Sequence, residues 1–167
     1  MGKDSFRPVV SHEGGGHGFG RLLDEYRYTQ SELPGDIKSQ IKSWRSKDPY
    51  YGYNIDITGD RSQVHWAHYF DRPGYEAVDM FEGACLYYYG AWRPEYISCM
   101  EDNRPYYNAP SREAIVRRIM RASGKTFNME DFISKDKIRS EKGAPQTRTD
   151  YVTEAFVPFA PPIRVER

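Results

Sequence analysis

The chain has no excess of charge: 24 Lys and Arg balance 24 Asp and Glu. It therefore lacks the one-signed field that gathers nucleic acid or an anionic membrane surface, and no nucleic-acid partner is expected. Long apolar runs are missing too, and none approaches the roughly 18 residues of a membrane span. Met1-Gly2-Lys3-Asp4-Ser5-Phe6 has no apolar stretch of the signal-peptide kind. Cysteine is scarce: Cys85 and Cys99 could pair, but they form no metal-type cluster and leave the redox compartment open. Histidine is scarce as well. There are four in 167 residues, and two of them, His12 and His17, sit close together near the start.

Aromatic side chains are abundant: they make up 15% of the chain, with 14 Tyr. Tyr joins an apolar body to a polar tip, which suits a partly wet groove as well as a core. One domain over residues 1–167 is the expectation for this length. From Ser140 the chain turns polar and ends with Pro158, Pro161 and Pro162, so 140–167 is expected to be an extended tail.

The stretch from His12 to Tyr26 concentrates the chemistry. It reads His-Glu-Gly-Gly-Gly-His-Gly-Phe-Gly-Arg-Leu-Leu-Asp-Glu-Tyr, with two histidines, three carboxylates and five glycines in fifteen residues. Hydrolytic zinc sites use H-E-x-x-H, which sets two imidazoles one helical turn apart and leaves the Glu to act on water. Here the spacing is H-E-x-x-x-H. Five residues of α-helix turn about 500° and leave the imidazoles roughly 140° apart. A π-bulge absorbs one extra residue and returns i and i+5 to one face. Gly14, Gly15 and Gly16 are the residue type that tolerates this distortion most easily.

A catalytic zinc needs a third protein ligand. Gly20, three residues after His17, and Asp24, seven after it, resemble the helix-ending glycine and third ligand of metzincin-type proteases, which makes Asp24 the first choice. His68 is the alternative, although beside Trp66 and Tyr69 it also reads as structural; His65 points the other way if this segment is a strand. Asp24 and Glu25 also read as a plain helix cap. Glu13 is the expected general base, and Tyr106, Tyr107 and Arg93 are candidates to steady an oxyanion.

A helix is expected over His12 to Leu23, capped by Ser11 and presenting Phe19, Leu22 and Leu23 as its apolar face. Ile37, Ile41 and Trp44 recur at helical spacing and predict a packing helix from Pro34 to Ser46. Asn54 to Thr58 alternates like a short strand, whereas Glu76 to Tyr89 is ambiguous between helix and strand. Ser111 is expected to cap a helix with a stripe of Ala114, Ile115, Ile119 and Ala122, its arginines Arg117, Arg118 and Arg121 outward, and Gly124 at its end. A short last helix over Asn128 to Ile138 would bury Phe132 and Ile133.

These residues together resemble bacterial zinc metallopeptidases of the IgA-peptidase type, which are metzincin-like. The resemblance rests on His12-Glu13, His17-Gly18-Phe19-Gly20 and Leu23-Asp24-Glu25-Tyr26. It continues through Gly83-Ala84, Gly90-Ala91-Trp92-Arg93-Pro94, Ser98-Cys99-Met100 and Asn108-Ala109-Pro110-Ser111-Arg112-Glu113, covering roughly residues 6 to 138. It implies an α+β, mainly helical catalytic region with a zinc-binding helix and a methionine turn at Met100. It further implies a Zn2+ endopeptidase acting on protein or peptide substrates, secreted or displayed at a bacterial cell surface. The extra residue in H-E-x-x-x-H departs from the shorter family motif. The upstream sheet is largely missing before residue 12, so the chain is expected to be a C-terminal part of a longer protein. The competing expectation is a non-catalytic, Tyr/Trp-rich carbohydrate- or peptide-binding module with a degenerate metal site.

Overall fold

The computed structural model describes residues 8–104, 106–137 and 139, so the expected 140–167 tail lies outside the described residues. The architecture is α+β, a small mixed sheet with helices around it. Residues 8–10 are already α-helical, and from Ser11 to Gly20 the chain winds as a π-helix, α1. Ser11 is thus not its cap, because Val10 before it is itself in the right-handed helical conformation. The helix ends at Gly20 rather than Leu23. Arg21 turns left-handed (φ 54°, ψ 33°) and its N–H donates to the Gly16 carbonyl.

The sheet has the order β1-β3-β2, with β1 (Arg27–Glu32) parallel to β3 (Leu86–Arg93) and β2 (Phe81–Ala84) antiparallel to it. β1 gave no sequence signal: it is an edge strand whose last five residues are exposed, so no apolar alternation marks it. The β2–β3 hairpin turns through Cys85 and Leu86, both at positive φ (54° and 74°). Type I′ turns demand this of both residues and normally recruit Asn-Gly or Asp-Gly. Cys-Leu carries no such signal, which is why Glu76 to Tyr89 read ambiguously. Gly83 (φ 103°) sits at the register shift between Glu82 and Ala84.

Two further segments differ from expectation. Between Asn54 and Thr58 only Asp56 pairs, in a single antiparallel bridge to Trp92 with both N–H···O distances 2.8 Å. His65 and His68 lie in turns and a 3-10 turn (Ala67–Tyr69), which buries Trp66 and Tyr69 without any strand. Helix α2 (Gly35–Lys47) does pack as expected: Ile41 is buried with Leu33, Ile55, Ala84 and Ala91, and Ile37 and Trp44 lie against them.

Helix α3 (Cys99–Asp102) is one short turn capped by Ser98, whose Oγ accepts the Met100 N–H at 3.0 Å. Helix α4 (Ala109–Ala122) is capped by Asn108 rather than Ser111, its Oδ1 accepting the Ser111 N–H at 3.0 Å. It buries its first half, Ala109, Pro110, Ser111, Glu113 and Ala114, while Ile119 of the expected stripe is exposed. Arg117 and Arg118 do not face outward; they reach Glu113 (2.7 Å) and Asp48 (2.6 Å). Gly124 follows at φ 68°. Helix α5 (Met129–Lys135) starts at the Asn128 cap and buries Phe132.

Leu22, Tyr53, Met100 and Ala114 form the buried cluster that joins the end of α1 to α3 and α4. Full burial of Leu22 and Met100 contributes about 1.5–3 kcal/mol each, which helps hold α1 in its unusual winding. Phe19, expected on the apolar face, is exposed. Cys85 and Cys99 are free thiols. No helix among the described residues is long and apolar enough to cross a membrane.

Candidate metal centre

The winding of α1 decides where its histidines point. In the π-helix a turn takes one more residue than in an α-helix, so His12 and His17 share a face. Their Nε2 atoms are 3.2 Å apart. Neighbours hold this winding in place. The Tyr107 hydroxyl donates to the Ser11 carbonyl, and Arg118 Nε donates to the Gly20 carbonyl at 3.0 Å. The glycines permit close approach. A Cβ on Gly16 would lie 2.3 Å from Met100 Sδ, and one on Gly15 would lie 2.4 Å from the Tyr107 hydroxyl. Met100 is fully buried beneath α1 at Gly16.

This geometry separates two glycine substitutions. Gly16→Val should lower stability by about 1–3 kcal/mol, because the buried Met100 thioether would have to shift within its packed cluster. Gly14→Ala, with nothing within 4 Å of its added carbon, should change stability by less than about 0.5 kcal/mol. Thermal unfolding of both variants checks this, and equal midpoints would refute the close-approach argument.

Asp24 arrives by a turn that buried polar groups clamp on both sides. Asn54 accepts the Leu23 N–H at 2.9 Å and donates to the Leu23 carbonyl at 2.7 Å. The Asp24 carbonyl accepts the Cys85 N–H at 2.9 Å, and the Glu25 N–H donates to the Met100 carbonyl at 2.8 Å. Glu25 itself is fully buried. Its carboxyl receives Asn54 Nδ2, Asn108 Nδ2 and Ser98 Oγ, each at 2.7 Å. Burial pushes its pKa up to about 7 against those hydrogen bonds. One carboxyl thus ties together the Asp24 segment, the Ser98 cap of α3 and the Asn108 cap of α4.

So placed, Asp24 Oδ1 lies 3.1 Å from His12 Nε2 and 3.1 Å from His17 Nε2. The other ring nitrogens are committed: His12 Nδ1 is 2.8 Å from the Cys99 carbonyl, and His17 Nδ1 is 2.8 Å from the Leu22 carbonyl. A carbonyl only accepts, so each Nδ1 carries a proton, and in a neutral ring each Nε2 is a lone pair. Two lone pairs and a carboxylate oxygen then converge on one point, an arrangement that could hold a cation. When Nε2 is protonated instead, the same atoms donate to the carboxylate and the proton takes the cation's place. Burial raises the Asp24 pKa, but the bonds from His12 and His17 outweigh it and hold it down to about 2. The bond to Asp24 raises the pKa of His17 above 6.5 against its burial. His12, His17 and Asp24 form a group that could hold a metal ion.

The other sequence candidates scatter. Glu13 is exposed beside His12, no hydrogen bond holds it among the described residues, and its charge reaches His17. His68 lies outside the group, its Nε2 2.9 Å from the buried Glu113 carboxylate. Tyr106 is buried and donates to Glu95 at 2.7 Å. Tyr107 is spent on the Ser11 carbonyl behind α1. Arg93 is fully buried and donates to the Gly83 and Glu82 carbonyls at 2.6 and 3.2 Å. Each oxyanion candidate is therefore engaged elsewhere; their sequence proximity to Met100 did not bring them to the His12–His17–Asp24 group.

Sequence reasoning gave Tyr26 no role. Its ring stacks on His12 (centroids 6.2 Å, interplanar angle 25°) and meets Tyr28 at 5.1 Å. Burial, and then the Asp24 charge, push the pKa of both phenols up, so both stay protonated donors. The signal was present in Asp24-Glu25-Tyr26, two residues past the expected ligand. Comparison with known proteins finds no family model that matches the chain and no curated relative similar to it.

Proposed function

We propose that the chain is a zinc-dependent endopeptidase, the reading that its resemblance to IgA-peptidase-type zinc metallopeptidases implies. The supporting observation is the convergence of His12 Nε2, His17 Nε2 and Asp24 Oδ1 at 3.1 to 3.2 Å while carbonyls hold both Nδ1 atoms. Donor atoms of a tetrahedral shell with Zn–N bonds of about 2.0–2.1 Å lie about 3.3–3.4 Å apart, so the spacing fits one such ion. Three nitrogen and oxygen ligands without thiolate are the donor set of catalytic rather than structural zinc. Bound there, the ion supplies Lewis acidity and lowers the pKa of water to about 7.

The chain's own residues do the rest. Glu13, exposed and unengaged beside His12, takes the proton of the attacking water and returns it to the leaving amine. Tyr26, held on His12 and kept protonated beside Asp24, donates to the oxygen on which charge develops. Met100 underlies the helix at Gly16 and keeps the floor of the site apolar.

The test is metal content together with cleavage. Purified protein should hold about one zinc per chain and cleave a casein-type substrate, and a chelator should abolish cleavage until zinc is restored. Metal uptake should weaken as pH falls through the raised His17 pKa, because the proton and the metal compete for the same Nε2. A folded protein that takes up no zinc would overturn the reading and favour the binding module.

A further inference from the structure

Beyond the metal group, the end of α4 carries a second concave surface. A cavity of about 180 Å³ is lined by Asp48, Tyr50, Arg117, Arg118, Arg121, Lys125 and Phe127. Four cations share it with one carboxylate, in a chain whose net charge is zero. Arg118 and Asp48 neutralise each other at 2.6 Å, and Arg118 Nε is committed to the Gly20 carbonyl.

Arg117 is fixed but not spent. Its Nε forms an ion pair with the buried Glu113 at 2.7 Å, as Arg118 does with Asp48, and its guanidinium lies 3.7 Å from the Phe127 ring centre and 4.8 Å from that of Tyr50. The Nη atoms make no hydrogen bond among the described residues. A guanidinium held between two rings with its outer edge unused is pre-organised for a planar pair of oxygens. The Arg121 guanidinium and the Lys125 ammonium make no hydrogen bond or ion pair within 4 Å among the described residues, and the Arg121 charge is felt at Asp48. The turn after α4 brings Lys125 back, its N–H donating to the Met120 carbonyl at 2.8 Å. The helix dipole favours cations in a last turn. It does not explain Arg117, a turn earlier and braced by rings.

We propose that this cavity is an oxyanion site, taking a phosphate or sulfate group on the outer edge of Arg117 with Arg121 and Lys125 closing over it. The full chain is titrated calorimetrically with inorganic sulfate and phosphate at constant ionic strength, with chloride as the reference salt. One saturable ion per chain is expected, weakened at least tenfold in the Arg121→Gln/Lys125→Gln double variant and unchanged in His12→Ala. Both substitutions of the double variant are at the surface, and circular dichroism checks its fold. Phosphoserine binding as tightly as inorganic phosphate would support a site for an ester-borne group, and tighter inorganic phosphate a site for the free ion. No saturable binding above chloride, or binding that survives the double variant, would overturn the proposal.

Discussion

Glu13→Gln is expected to cut cleavage of a casein-type substrate by about 10²–10⁴-fold, the usual worth of a positioned acid–base group, while zinc content stays the same. The physical case is direct. The Glu13 side chain is exposed and makes no hydrogen bond among the described residues, so its replacement costs the fold little. Gln keeps the shape but cannot take a proton. His12, His17 and Asp24, the atoms that would hold the ion, are untouched. Tyr26→Phe belongs in the same assay: the ring that stacks on His12 remains and only the hydroxyl is lost. Its kcat should fall by about 10²-fold, within the range for losing one oxyanion donor, with KM nearly constant. Activity retained in Glu13→Gln would remove the general base from the mechanism. A large rise in KM for Tyr26→Phe at unchanged kcat would make Tyr26 a substrate-binding residue.

The second large effect is on the fold. Glu25→Ala should destabilise the protein by about 3–5 kcal/mol, since each of three buried donors left without this acceptor costs about 1–3 kcal/mol. It would leave Asn54 Nδ2, Asn108 Nδ2 and Ser98 Oγ without their shared acceptor in a dry site. Glu25→Gln should cost far less. Burial pushes the carboxyl's pKa up, so the charge that Gln lacks is one the site already disfavours. Gln keeps an oxygen for the two Asn donors, and its amide can donate to Ser98 Oγ. Denaturant unfolding of both variants reads the difference, and zinc titration reads the consequence for Asp24, the adjacent residue. Equal costs for Ala and Gln would mean that the network does not hold the segment.

The features that were legible from sequence share a property: their partners are near in the chain. His12 and His17 are five residues apart, and their relation depends on local winding that three consecutive glycines make accessible. Asp24 follows within one turn and a reversal. Ile37, Ile41 and Trp44 declared α2 by period alone. The errors came where distance in the chain says nothing about distance in space. Tyr106 and Tyr107 follow Met100 closely, yet one reaches Glu95 and the other the back of α1. His68 found Glu113, 45 positions on. The cap of α4 moved from Ser111 to Asn108, whose side chain also serves Glu25 across the fold.

The sequence by itself determined the donor atoms, their spacing and the glycines that let a wide helical turn form, because side-chain chemistry and backbone freedom are local properties. The tertiary structure alone decided that the turn would form and what would surround it. A π-helix is not favoured by its own hydrogen bonds. It persists here because Met100 fills the space at Gly16, Tyr107 and Arg118 hold its two ends, and the Glu25 network brings Asp24 to its open face. Those contacts join positions up to 98 residues apart, and only a packed chain brings them together.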